Sequence, residues 1–464
     1  MSSLDLNQNK DMRDAFFDEI YLESINNPNL IVITNDMDIF SLRKLKKQRP
    51  NQFINIGVAE QNMINIASGL ASCGMKVIIY GIAPFVVFRC FEQIKMNICS
   101  MNLPVSIVGI GSGVSFAFDG PTHHAIQDIS VMNALPEMNI LNPSDSNSAK
   151  QCSDLILNTE NPFYVRLDKG VHPKVHDFDK FESFKIIKPI QKTTILSTGT
   201  MVSNVMKATK NIMNIGLIDI IKLKPFPLEV IKILENTDNV IVIEEHSKSG
   251  GLGSIFNDIA AENNLNVKLN FIGFENKQLL EYGSRDWFHK EAKIDFKSLT
   301  EKILRIIKML DFPKIGQGIG AYKWNDSNQR LIKHAALNGL NFIDTAEDYD
   351  NGNSERVIGS AIKGIREKVI LSSKFAPHNN SYSRVLKSLD SSLKRLNTDY
   401  LDIYQLHWPN PSVPIEETIE ALNLLKTNGK IRYIGFGNLT LAELKSIYKL
   451  IKIDTFQIEY NLFD

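Results

Sequence analysis

The sequence predicts an α/β protein with two doubly wound domains followed by an incomplete β/α barrel, and three observations carry that prediction. Short apolar runs alternate with segments of helical spacing along the whole chain, the pattern of parallel sheets covered by helices. A charged stretch containing Gly170 and Pro173 interrupts the pattern near Asp168 to Phe184. From Lys314 the rhythm becomes a regular cycle of strand, loop and helix, repeated six times before Asp464, whereas a closed barrel needs eight.

Taken in order, Leu30 to Thr34, Lys76 to Tyr80 and Val105 to Ile110 read as short buried strands. The longest apolar stretch, Val77 to Phe88, is broken by Gly81 and Pro84 and falls short of the ~20 residues of a membrane span. It reads as a buried strand running into a helix. The first domain is placed at 1–170 and a linker at 171–190. The second domain, 191–309, begins with the strand Thr193 to Ser197, repeats with Asn239 to Ile243, and fades after a helix ending near Met309. Asp311 to Pro313 read as a short linker. The third unit, 314–464, has strands expected near 315–321, 340–344, 368–374, 401–407, 432–437 and 455–460, and is expected to be truncated at its C-terminal side.

At 464 residues the chain is too long for one core, and about three domains follow from typical domain size. With 43% hydrophobic and 22% charged residues, disorder is not favoured. Lys plus Arg and Asp plus Glu both number 52, so no global field points to nucleic acid or an acidic membrane. Cys73, Cys90, Cys99 and Cys152 include no C-x-x-C pair, which suggests neither a zinc site nor a disulfide framework. Free thiols and the absence of a basic-then-apolar start lead to the expectation of a cytoplasmic protein that holds no metal itself.

Several residues interrupt the apolar pattern. Glu60, in Ile54-Asn55-Ile56-Gly57-Val58-Ala59-Glu60-Gln61-Asn62, is a lone carboxylate between an apolar strand and an apolar helix. It is either an exposed residue favoured by the helix dipole or a buried acid with a specific partner. Pro84 can open a helix, on which Phe85, Phe88 and Phe91 recur every third residue and share one face. Such a stripe is core packing or, less commonly, a flat pocket for an aromatic ring. Phe118-Asp119-Gly120-Pro121-Thr122-His123-His124 joins turn chemistry to two imidazoles, so a sharp loop presents them. Arg166, at the end of the strand around Pro162 to Leu167, suits phosphate by its forked donors, with a structural ion pair as the alternative.

In the third unit Asp344, Tyr349, Lys374 and His407 lie at or just after the ends of successive strands, where barrel enzymes place their chemistry. A tyrosine is a useful acid at neutral pH if its pKa falls. A nearby Lys374 cation is expected to do that, with Asp344 keeping the lysine charged.

Together, Ile56-Gly57-Val58-Ala59-Glu60-Gln61-Asn62, the phenylalanine series and Asp119-Gly120-Pro121-Thr122-His123 resemble the transketolase family in order and spacing, over residues from about 10 to 308. Met12-Arg13-Asp14-Ala15-Phe16 resembles the start of its pyrimidine-binding domain. Lys224-Pro225-Phe226-Pro227, Glu244-Glu245-His246 with Gly250-Gly251-Leu252-Gly253, and Gly283-Ser284-Arg285-Asp286 resemble its C-terminal domain. The resemblance implies thiamine diphosphate as cofactor and two-carbon ketol transfer between phosphorylated or activated sugars. It implies that Glu60 hydrogen-bonds a pyrimidine nitrogen as an acid–base relay, that Phe85 and Phe88 pack on the aminopyrimidine with Phe91 beside them, that His123 and Asp119 face sugar hydroxyls, and that Arg166 faces the substrate phosphate. Nothing here resembles the family's Gly-Asp-Gly segment with its downstream Asn, which holds magnesium and the diphosphate. A separate diphosphate-binding subunit is therefore expected, in a homodimer or heterotetramer.

Residues 314–464 resemble the aldo-keto reductases: Asp344, Tyr349, Lys374 and His407 match the catalytic tetrad, followed in place by Gly352-Asn353-Ser354-Glu355. This implies a nicotinamide cofactor, NADP or NAD, with Gly435-Phe436-Gly437-Asn438 and Gln457 near the carboxamide, although Gly437 stands where many members carry Ser. With six of eight strands, a weak grip on the nucleotide is expected. The alternatives are a carbonyl reductase whose front portion binds a partner, a non-catalytic fragment, and a front portion of the 1-deoxyxylulose-5-phosphate synthase or 2-oxoacid dehydrogenase β type. The loop Asp119 to His123 favours the sugar enzymes over the oxoacid ones.

Overall fold

The protein was analysed as a computed structural model, which describes residues 10–177, 180–308, 313–320 and 325–459. Residues 309–312, which include most of the expected second linker, lie outside the described residues, as do 321–324, the first of which belongs to the strand expected near 315–321, and the chain from 460. The chain divides into two compact units, 1–308 and 309–464.

The first unit holds two sheets. Strands β1 (Leu30–Thr34), β2 (Phe53–Asn55), β3 (Lys76–Ile82), β4 (Val105–Ile110), β5 (Asn139–Leu141) and β6 (Phe163–Leu167) pair in parallel, and helices cover both faces. β1, β4 and β6 are buried along their whole length, so they read as continuous apolar runs rather than alternating ones. The second sheet is built from β7 (Phe184–Lys188), β8 (Thr193–Ser197), β9 (Ile215–Ile220), β11 (Asn239–Ser247) and β12 (Lys268–Phe274).

Two features differ from the expectations. Part of the stretch expected as linker, 171–190, is the strand β7, which pairs antiparallel with β9 at the sheet edge. Its lysines suggested a solvated connection, but charges are also how an edge strand is kept from pairing further. The strand β10 (Lys222–Lys224), from the second domain, leaves its own sheet and pairs antiparallel with β5, giving order β10-β5-β6-β4-β3-β1-β2 in the first. Lys224 Nζ fixes this crossing by donating to the carbonyls of Asn133 (2.8 Å) and Leu135 (2.5 Å).

The second unit is one curled sheet of six parallel strands in sequence order: β13 (Gln317–Gly318), β14 (Phe342–Asp344), β15 (Ile370–Phe375), β16 (Leu401–Leu406), β17 (Ile431–Gly437) and β18 (Thr455–Gln457). Amphipathic helices between the strands, such as Tyr382–Leu396 with Val385, Leu389, Leu393 and Leu396 turned inward, cover it as half of a barrel. No helix among the described residues is long and apolar enough to cross a membrane.

Candidate active site

Glu60 opens the helix Glu60–Ser72. Only 5% of it is exposed, so the acid-with-a-partner alternative holds. Two donors converge on one carboxylate oxygen: Asn35 Nδ2 at 2.9 Å and an Arg89 guanidinium nitrogen at 3.2 Å reach Oε1. Oε2 accepts no hydrogen bond among the described residues, and the neighbouring Asn35 Oδ1 is buried with no donor. Asn35 Oδ1 is thus unmet in a place where that is costly, and Glu60 Oε2 is a second acceptor open to a donor.

The aromatic stripe is interrupted. The helix Ala83–Val87 ends before Phe88, a turn carries Phe88 to Cys90, and a new helical turn starts at Phe91. The spacing of three thus spans a break, and the three rings do not share one helix face. Phe85 lies by the site, edge-on to His123 with ring centres 4.9 Å apart and with the Arg89 guanidinium stacked on it at 3.8 Å. Phe88 is 37% exposed, whereas Phe91 packs against the core of the first sheet. Burial pushes the thiol of the next residue after Arg89, Cys90, up to about 12, with the Glu60 charge adding to it.

His123 follows two consecutive 3-10 turns, Ala117–Asp119 and Pro121–His123. Its Nδ1 lies 3.0 Å from Thr122 Oγ1. Asp119 in the same loop is exposed. Gly120 between the turns has φ +81°, and a Cβ there would fall 2.2 Å from the Tyr282 ring, so the loop needs glycine on both conformational and steric grounds. His124 points the other way, buried edge-on against Phe288 at 5.1 Å.

Arg166 is the ion-pair alternative, a correction to its reading as a phosphate ligand. It is 3% exposed. Its Nε donates to Asp128 Oδ2 at 2.7 Å, and Nη2 donates to the carbonyls of Ala125 (2.8 Å) and Glu245 (3.2 Å). A strand-end arginine looks alike in sequence whether its fork faces solvent or a buried carboxylate. The C-terminal motifs converge on the same seam. Arg285 pairs with Asp168 and Glu245, and His289 lies 3.0 Å from Glu245. Burial would raise Glu245, but the Arg285 cation and then the contact with His289 hold it far below the usual carboxylate range.

The cation that sequence reasoning passed over is Lys169. It is exposed, has no ion pair among the described residues, and its Nζ sits 4.2 Å over the Phe116 ring, whose centre is 6.4 Å from that of His123. Arg89 and Asn35 were passed over too. Neither carries a sequence signal, because their role depends on the turn after Val87 and on the end of β1.

In the second unit the four expected residues are together. Lys374 Nζ binds Asp344 Oδ2 at 2.7 Å and the Thr345 carbonyl at 2.9 Å. Tyr349 OH lies 3.4 Å from His407 Nε2, and the Lys374 ammonium is 5.4 Å from the Tyr349 ring centre. The expected fall in the tyrosine pKa does not occur. Burial raises it, with Asp344 and Asp348 adding to the rise, because Lys374 is committed to Asp344. Burial, and then Lys374, lower His407, which favours its neutral form. Asn438 donates to the His407 carbonyl at 3.0 Å. The Gln457 side chain donates to Asp344 and accepts from Gln405, which leaves one N–H and one oxygen lone pair for a further contact. Glu355, fully buried, accepts from Ser373 and Arg395, each at 2.6 Å.

Comparison with known proteins agrees with these groupings. The family description "Transketolase, pyrimidine binding domain" matches residues 8–174, "Transketolase, C-terminal domain" matches 183–298, and "Aldo/keto reductase family" matches 314–464. An apulose-4-phosphate transketolase subunit of Phocaeicola vulgatus is 30% identical over 306 residues, 64% of this chain and 97% of that protein. The methylglyoxal reductase YeaE of Escherichia coli is 41% identical over 157 residues, 33% of this chain, and the chain spans only 55% of that protein's length. A solved split-gene transketolase, described as an inactive beta4 tetramer, superposes with a TM-score of 0.57 at 25% identity, covering 64% of this chain and 98% of its own.

Proposed function

This chain belongs to the transketolase family, with an aldo-keto reductase segment behind the family's two domains, and on that premise we propose that residues 10–308 form the aminopyrimidine-binding half of a two-subunit transketolase. The reaction is transfer of a two-carbon ketol unit between sugars, and a separate subunit supplies the diphosphate and magnesium site. The observation that carries the reading is the Glu60 carboxylate, buried and anchored through one oxygen while the other is free.

These residues fit an aminopyrimidine. Glu60 Oε2 and a ring nitrogen can share one proton, the exocyclic amine suits the unmet Asn35 Oδ1, and the ring suits the flat surface of Phe85, with Phe88 at the exposed rim. Bound thiamine diphosphate supplies an acidic carbon whose conjugate base takes up the two-carbon unit. Glu60 holds and returns a proton at the pyrimidine nitrogen, a step that needs a carboxyl shielded from water. His123 and Asp119, on the glycine-hinged loop, face the sugar hydroxyls. Lys169 takes the anionic end of the sugar in place of Arg166: it is a cation beside the His123 loop with no ion pair among the described residues, and the matched Phocaeicola relative is named for a phosphorylated sugar. A 1-deoxyxylulose-5-phosphate synthase-like reaction uses the same half-site and differs in its two-carbon donor.

The test is reconstitution. The purified chain alone is expected to show no ketol transfer, and to gain it with a diphosphate-binding partner. Introducing Glu60→Ala should remove that gain. Full activity in the Glu60→Ala complex would end the assignment.

A second reading, carbonyl reduction with NADPH or NADH, is favoured by the assembled Asp344, Tyr349, Lys374 and His407. In that role Tyr349, held protonated by burial, donates its proton to the carbonyl oxygen, and Lys374 with His407 orients it. The two readings concern different units of the chain and are compatible.

A further inference from the structure

Arg89 does two things at once. Its guanidinium carbon lies over the Phe85 ring, 3.8 Å from the centre, and the guanidinium donates to Glu60 Oε1 at 3.2 Å. An aminopyrimidine ring held by Glu60 would also stack on Phe85 and donate to the same carboxylate. We propose that Arg89 is a positioning residue that occupies the ring's place in the free chain and is displaced when the cofactor enters.

The local structure allows such a swing. Arg89 lies in the turn between the helix Ala83–Val87 and the helical turn at Phe91. Its carbonyl is held by Gln61 Nε2 at 3.0 Å, and the thiol of the next residue, Cys90, donates to the Val86 carbonyl at 3.0 Å. The backbone is thus anchored on both sides of the side chain. The side chain itself is 47% exposed, so it can turn into water without disturbing the core. A buried carboxylate with no counter-charge is costly, and among the described residues Arg89 is the only cation within ion-pair distance of Glu60. The contact therefore keeps the acid and the aromatic ring in binding geometry before the cofactor arrives, and it competes with the cofactor for the face of Phe85 and for the charge of Glu60. The inference rests on the assignment of Glu60 as the pyrimidine-binding acid.

The test uses the full chain without a partner and the pyrimidine half of thiamine, 4-amino-5-hydroxymethyl-2-methylpyrimidine, followed by calorimetry or saturation-transfer NMR. Removing a stacked, hydrogen-bonded cation should tighten binding by about tenfold in Arg89→Ala. Arg89→Lys, which keeps the charge and loses the flat stack, should fall between. It is also the variant to use if Arg89→Ala does not fold. Unchanged or weaker binding in both variants, or no binding to any of the proteins, overturns the proposal. Adding Glu60→Gln to Arg89→Ala separates the two ideas. Loss of the gain supports both, whereas a gain that survives overturns the assignment of Glu60 and leaves Arg89 as a competitor for Phe85 alone.

Discussion

Replacing Arg166 by methionine decides whether that side chain serves the fold or the substrate. The guanidinium is 3% exposed, and its fork ends on Asp128 and two carbonyls. Without it, Asp128 is left fully buried with the Tyr164 hydroxyl at 2.6 Å and with His246, whose pKa burial lowers to about 4, so that at neutral pH the imidazole offers no charge. At an effective dielectric constant of about 20, unit charges about 4 Å apart attract by about 4 kcal/mol, and removing one partner of a buried pair costs about 3–5 kcal/mol. The chain has two units, so a single unfolding free energy is not well defined. Hydrogen exchange of the β4 and β6 amides reports the first unit alone. Arg166→Met should lower their protection by this amount, and Arg166→Met with Asp128→Asn should recover at least half, because no buried charge is then left alone. An Arg166→Met protein as stable as the parent, with a selective rise in KM for a phosphorylated sugar, would refute the reasoning.

Lys169→Gln should raise KM for a phosphorylated sugar by about tenfold in the reconstituted enzyme, the loss of one half-exposed ion pair, with kcat nearly unchanged. An equal effect on an uncharged acceptor would exclude the role. Glu244 and His246 should oppose each other in pH. Burial raises Glu244 to about 7 from 4.5, against the N–H groups of Gly253 and Leu252, and burial lowers His246 to about 4 from 6.5. Folded Glu244 binds a proton that the unfolded carboxyl has lost, so its contribution falls as pH rises from 4.5 to about 7. Folded His246 refuses a proton that the unfolded imidazole takes, so its contribution falls as pH drops from 6.5 to about 4. Glu244→Gln should unmask the acid-side loss and His246→Gln the loss at rising pH, each on the order of 3 kcal/mol across its window. Melting curves with the same pH slope in both variants would contradict this.

The range of each interaction decides whether the sequence revealed or concealed it. The strands β1, β4 and β8 were legible to the residue because fully buried parallel strands carry uninterrupted apolar runs. Glu60 stood out because a carboxylate between apolar elements has few inexpensive explanations, although spacing alone could not say that it is buried. Asp344, Tyr349, Lys374 and His407 were legible as a group because a parallel barrel puts successive strand ends in one place. The failures involve partners distant in sequence. The choice of Arg166 between phosphate and Asp128 depends on a residue thirty-eight positions away. Phe91 keeps the spacing of Phe85 and Phe88, but one turn after Val87 packs it, half-buried, against the core. The acidity of Tyr349 was misjudged because the charge of Lys374 is spent on Asp344.

The short strand β10 has a consequence for engineering and for gene history alike. Since Lys222–Lys224 completes the first sheet while the flanking β9 and β11 belong to the second, the two transketolase-type domains cannot be recombined at the loop between them. A chimera that joined this pyrimidine-binding domain to a foreign C-terminal domain at residue 175 would import a mismatched strand against Asn139–Leu141. A crossover placed after Lys224 keeps the native strand but sets a foreign β11 against the native β8, so the mismatch moves into the second sheet.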